Sequence, residues 1–201
     1  AGGPERMRTA FDYGADAVYA GSPRYSLRAR NNEFAKLDVL QQGISEAHAR
    51  GKKFYLTVNT LPHNSKLKTF HADMQPLIAM KPDALIMADP GLIMEVRDKY
   101  PDMPVHLSVQ ANTTNYWGVK FWQNIGVERI ILSRELSMEE IAEIRQECPD
   151  VELEVFVHGA LCIAYSGRCL LSGYFNHRDP NQGTCTNSCR WDYKVHPAEI
   201  D

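Results

Sequence analysis

Apolar positions along the chain fall in short, β-branched runs at 16–21 (DAVYAG), 53–59 (KFYLTVN), 83–89 (DALIMAD), 105–110 (VHLSVQ), 129–133 (RIILS) and 153–159 (LEVFVHG). Between the runs the spacing turns helical, over 5–13, 37–51, 67–80, 90–100, 115–126 and 137–148. Continuous apolar strands are buried on both faces, so their alternation with amphipathic helices predicts a parallel sheet covered by helices. Ser137 with Glu140 forms a capping box at a helix start, and Gly51 and Gly126 stand where helices should stop. The last four strands begin at 83, 105, 129 and 153, an even spacing that reads as successive βα units. The helical segment at 5–13 implies a further strand ahead of Ala1. A closed eight-stranded barrel takes about 250 residues. The 201 residues are therefore expected to form one (β/α) TIM-barrel-like domain, an incomplete barrel lacking its first strand and its C-terminal part. An open doubly wound sheet is the alternative, although no Gly-x-Gly-x-x-Gly follows a strand.

Reactive groups of such barrels gather where strands end and loops begin. The strand ends carry Tyr19, Asn59, Asp89, Gln110 with Asn112, Arg134 with Glu135, and His158. His158, Glu135 and Asp89 are candidate catalytic groups, with His158 able to move a proton or orient a ligand; a loop-capping role is the plainer reading of each. Asn59 and Gln110 are candidate substrate contacts. In the loop 21–34, Arg24, Arg28 and Arg30 precede any acid until Glu33. Guanidinium forks suit carboxylate, phosphate or a stacked base, while a solvated basic loop is the alternative.

Charge and composition narrow this picture. Lys and Arg number 22 against 25 Asp and Glu, a net −3, so attraction to nucleic acid must come from a local patch. No run of eighteen apolar residues exists, which excludes a membrane-spanning helix by pattern, and the charges of Glu5, Arg6 and Arg8 do not suit a signal peptide. A cytoplasmic location is expected. In a reducing compartment clustered cysteines point to metal or catalysis rather than disulfides.

Four of the five cysteines, Cys162, Cys169, Cys185 and Cys189, lie within the glycine-spaced segment 158–190. Four thiolates suit tetrahedral zinc or an iron-sulfur cluster. A zinc ribbon would pair its ligands as two Cys-x2-Cys knuckles, which this spacing lacks, and the glycines give room to wrap a larger group. The pattern therefore leans to a 4Fe-4S cluster, with zinc as the alternative. Cys148, alone on a helix end, reads as structural.

The stretch EVFVHGALCIAYSGRCLLSGYF at 154–175 resembles the signature of peptidase family U32, the collagenase-like proteases, through Glu154, Gly159, Ala160, the two cysteines and Ser172. RDPNQGTCTNSCRW, GADAVYAG and RYSLRARNNEF are similar to the branch of that family engaged in tRNA hydroxylation. The resemblance implies prephenate-dependent formation of 5-hydroxyuridine at the tRNA wobble position. It further implies cluster ligation by Cys162, Cys169, Cys185 and Cys189, and as partners a tRNA anticodon loop and prephenate or a related small carboxylate. The family's label implies peptidase activity as the alternative. For that the chain offers no His-Glu-x-x-His and no Gly-x-Ser-x-Gly. Cys162 with His158 remains a conceivable thiol pair, Ser166 and Ser172 read as loop hydrogen-bonders, and Tyr25, Tyr165 and Trp191 are candidates for stacking on a base.

Overall fold

The structure, a computed structural model, describes residues 1–28 and 32–194. Six strands, β1 (Ala17–Gly21), β2 (Lys53–Val58), β3 (Ala84–Met87), β4 (Val105–Leu107), β5 (Arg129–Ile131) and β6 (Glu152–Glu154), pair in parallel in chain order. A doubly wound sheet reverses its strand order at a switch point; this sheet does not, and forms the wall of a half-barrel. Helices precede or separate the strands: α1 (Pro4–Asp12), α2 (Leu37–Ala49), α3 (Asn64–Leu67), α4 (Phe70–Ala79), α5 (Pro90–Lys99), α6 (Tyr116–Asn124) and α7 (Met138–Glu147).

Alternation along the strands separates two faces. Phe54, Leu56 and Val58 of β2, Leu85 and Met87 of β3 and Ile130 of β5 face the helices and join Leu40, Met74, Ile93 and Ile144 in the main core. Ser137 and Glu140 close the capping box that starts α7, and Gly51 and Gly126 take positive φ just beyond α2 and α6. The helix expected over 67–80 is α4, which starts at Phe70, and the one-turn α3 ends ahead of it at Leu67. The strand expected over 153–159 stops at Glu154, where its partner β5 also ends, at Ile131; Val155, Phe156 and Val157 are exposed.

The concave face is partly polar. A small apolar cluster of Tyr55, Ala84, Ile86 and Ile131 adjoins Arg129, which pairs with Glu152 at 2.6 Å and Glu154 at 3.5 Å and donates to the Tyr55 hydroxyl at 3.3 Å. His106 packs edge-on to Tyr55 at 4.8 Å with its buried Nδ1 unpartnered. Burial, reinforced by the Arg129 cation and opposed by Glu152, lowers the His106 pKa to about 4. The unfolded chain binds this proton near pH 6.5 and the native state only near 4, so the stability present above 6.5 drains away as pH falls. Urea unfolding should show about 2 kcal/mol less stability at pH 5 than at pH 7 from this group. His106→Asn should flatten that part of the dependence; an unchanged pH slope would reject it.

Candidate functional site at the barrel mouth

Beyond β6 the chain crosses back over the C-terminal ends of the strands. This segment is irregular apart from the short α8 (Leu171–Asn176) and 3-10 turns at Pro180–Gln182 and Ser188–Arg190. It is fastened to the barrel by backbone contacts that only glycine allows. A Cβ on Gly167 would stand 2.5 Å from the Gln110 carbonyl oxygen, and one on Gly183 would stand 2.9 Å from that of Ser26; both residues have positive φ. Arg134 donates to the carbonyls of Cys162 at 3.1 Å and Ala164 at 3.2 Å and to Ser166 Oγ at 2.9 Å. Gln182 donates to the Leu61 carbonyl and accepts from Lys66 at 3.1 Å. Gly167→Ala must strain both the turn and its seat against Gln110, and should cost about 1–3 kcal/mol, read as a lowered unfolding midpoint.

A cavity of about 420 Å³ lies between this segment and the strand ends, its wall including Arg28, Gln110, His158, Cys162, Cys169 and Cys185. A second, about 550 Å³ and more polar, adjoins it across Leu27, Arg28 and Cys185, with Tyr19, Asn32 and Asn187 in its wall. The Arg28 guanidinium carbon sits 6.0 Å from the Tyr19 ring centroid, so its charge stands at the junction of the two spaces.

Soft thiol donors suit zinc or an iron-sulfur cluster, but their arrangement is looser than ligation requires. Cys162, Cys169 and Cys185 share one cavity wall, whereas exposed Cys189 is not part of it. Among the described residues no three His, Cys, Asp or Glu side chains stand close enough to hold a metal ion. Cys185 Sγ accepts from the Asn187 backbone N–H at 3.4 Å and from Ser172 Oγ at 3.9 Å. Cys148 is buried on the helix side of the sheet, its Sγ 3.7 Å from the Tyr116 carbonyl, and burial raises its pKa, so it is an unreactive core thiol.

The candidate side chains all follow strands at the same end of the sheet, yet they divide into those that meet the cavity and those that do not. His158 and Gln110 line it, and His158 is exposed with no hydrogen-bond partner among the described residues. Asn59 accepts from Leu27 N at 3.2 Å and donates to Ser108 Oγ at 3.2 Å, holding the arginine loop to β4. Asp89 caps α5, accepting from Leu92 N at 2.9 Å, and belongs to a separate depression with His71 and Glu95. Glu135 is exposed and accepts from Ser133, whose hydroxyl also reaches Asn112. Arg24 is turned outward into a bond with Asp73 at 2.8 Å, while Arg28 of the same loop lines the cavity together with Arg134; Arg30 lies outside the described residues. Tyr25 is buried, its hydroxyl donating to Asp73 at 2.9 Å, so it offers no face for a base; Tyr165 and Trp191 are exposed. Ser166 and Ser172 are buried hydrogen-bonders.

Sequence reasoning gave Arg134 no role beyond its strand end, because its partners are carbonyls about thirty residues downstream. No helix among the described residues is long and apolar enough to cross a membrane.

The solved structure of the U32 peptidase Mk0906 superposes with a TM-score of 0.65 over 77% of this chain and 65% of its own, at 16% identity, which shows a common fold. Two curated relatives, both called tRNA hydroxylation protein P, from Haemophilus influenzae and Escherichia coli, are each 68% identical over all of this chain. The chain spans 44% of each. The 23S rRNA 5-hydroxycytidine C2501 synthase of Escherichia coli is 37% identical over 94% of the chain, which covers 28% of that protein. The profile of peptidase family U32 matches residues 2–200, and the chain belongs to that family.

Proposed function

We propose that the protein hydroxylates RNA, forming 5-hydroxyuridine at the wobble position of tRNA, with chemistry at the cavity under the cysteine segment. One observation carries the reading: a single cavity at the barrel mouth collects Cys162, Cys169 and Cys185 with Arg28, Gln110 and His158. The names of the relatives, tRNA hydroxylation proteins and an rRNA hydroxycytidine synthase, support RNA as substrate class. An unstacked anticodon-loop base can enter such a space, where Gln110 has both a donor and an acceptor for its edge. Arg28 is placed to take a phosphate or the carboxylate of prephenate or a related small acid. His158, with an open imidazole, is the group able to hold or move a proton at the cavity wall.

The reading includes a 4Fe-4S cluster on Cys162, Cys169, Cys185 and Cys189, with zinc as the other metal the thiols suit. A bound cluster would supply electron-transfer or Lewis-acid chemistry. Metal binding commonly completes the fold of its own site. The test of function is nucleoside analysis of tRNA from a strain deleted for the gene. Loss of 5-hydroxyuridine derivatives, restored by the wild-type gene, is expected; unchanged nucleosides reject the proposal.

The peptidase reading rests on Cys162 and His158 lining the same cavity. It requires thiol-dependent cleavage of denatured collagen by purified protein in which metal is absent from Cys162.

A further inference from the structure

The cysteine segment carries a feature that the cavity chemistry does not use. Tyr174 and Phe175 of α8 stand at a centroid distance of 5.2 Å, and Phe175 and Tyr193 at 5.5 Å, a continuous row of three rings. The rings are 81%, 45% and 51% exposed, so the row lies open on the surface instead of filling a core. Its supports are specific. Tyr193 donates to the Ser188 carbonyl at 2.6 Å, and Asn176 ties α8 to Thr186 and Ser188 at 3.0 Å each. The row is joined to the cavity through Ser172 of α8, which accepts from Thr186 N at 3.1 Å beside Cys185.

Charge separates this surface from the rest of the molecule. Residues 165–194 hold Arg168, Arg178, Arg190 and Lys194 against Asp179 and Asp192, a local positive excess on a chain of net −3. All four cations are exposed. A purely apolar partner would have no use for that excess. Exposed rings in a segment of net positive charge match single-stranded nucleic acid, whose bases stack on π faces while its phosphates meet guanidinium and ammonium groups.

We propose that Tyr174, Phe175 and Tyr193 form a stacking platform for single-stranded RNA, with the exposed Arg178 taking a phosphate, so that an RNA loop held on the platform is led towards the cysteine-lined cavity. The proposal rests on the RNA reading above and adds the surface that holds the substrate. Stacking on an aromatic ring contributes enough that removing one ring weakens binding by roughly five- to a hundredfold.

The test measures binding of a fluorescein-labelled ten-nucleotide oligouridine to full-length protein by anisotropy, for wild type, Tyr174→Ala, Tyr174→Phe and the double variant Tyr174→Ala/Phe175→Ala. Tyr174→Ala should weaken binding at least about fivefold. The double variant should weaken it further, and Tyr174→Phe, which keeps the ring, should stay within about twofold. Tyr174 is so exposed that its alanine variant should unfold at the wild-type midpoint, which separates lost stacking from lost fold. Wild-type affinity in both alanine variants overturns the platform and leaves the RNA reading standing. A wild-type protein that binds no oligouridine and no tRNA overturns both. Alanine variants that change the oligomeric state in size-exclusion chromatography while RNA affinity holds would assign the row to self-association and overturn the proposal.

Discussion

Replacing Cys169 and Cys185 together by alanine is expected to lower 5-hydroxyuridine formation by more than about a hundredfold in a complemented deletion strain. Both thiols stand in the wall of the one cavity that also holds Arg28, Gln110 and His158. Removing both leaves two thiols, too few for either zinc or a cubane cluster. Iron should be lost in parallel with modification. The fold should survive, because Cys185 is exposed, Cys169 only half-buried, and neither belongs to the core. Cys148→Ala is the matched control, since its thiol lies among core residues beneath α7 and should leave metal and modification unchanged. Full modification by the double variant would remove the thiols from the mechanism.

The largest stability effect is expected at Phe54. Its ring is fully buried near the start of β2 and meets Phe34 edge-on at 5.4 Å, while its backbone N–H donates to Asp83 at 2.7 Å. Phe54→Ala leaves the backbone bonds in place and opens a void between sheet and helices that close-packed neighbours fill poorly. The cost should be about 3–5 kcal/mol. Urea denaturation checks it through a lower midpoint at unchanged slope. A loss below about 1 kcal/mol would contradict the packing described for the helix-facing core.

The sheet was legible because its central strands, β2 to β4, are buried on both faces, and six apolar runs, the last four evenly spaced, leave little freedom of topology. The run at 153–159 over-reads for a physical reason: apolar residues mark a strand only where a neighbour supplies partners, and β5 ends at Ile131, opposite Glu154. The arginine loop shows a different limit. Arg24 and Arg28 are alike in sequence, but Asp73, forty-nine residues from Arg24, turns one outward and leaves the other at the cavity. Asp89 carried a local signal, since Asp followed by Pro90 is a common start of a helix, and that signal describes what it does. The cysteines were visible by density and type. Their seat over the mouth was not, because it depends on Gly167 and Gly183 closing against carbonyls of distant loops and on Arg134 holding a turn downstream.

RNA modified in the cavity beneath the cysteine segment must place its target base against that cavity's wall. The most direct measurement is photocrosslinking of a tRNA anticodon stem-loop carrying 4-thiouridine at the wobble position to the full-length protein, with the attached peptide identified by mass spectrometry. Crosslinks should fall on the cavity wall, within 156–169 or 180–185 or at Gln110 and Arg28. Attachment to the outer helices α4, α5 or α7, with the cavity wall unmarked, would contradict the claim.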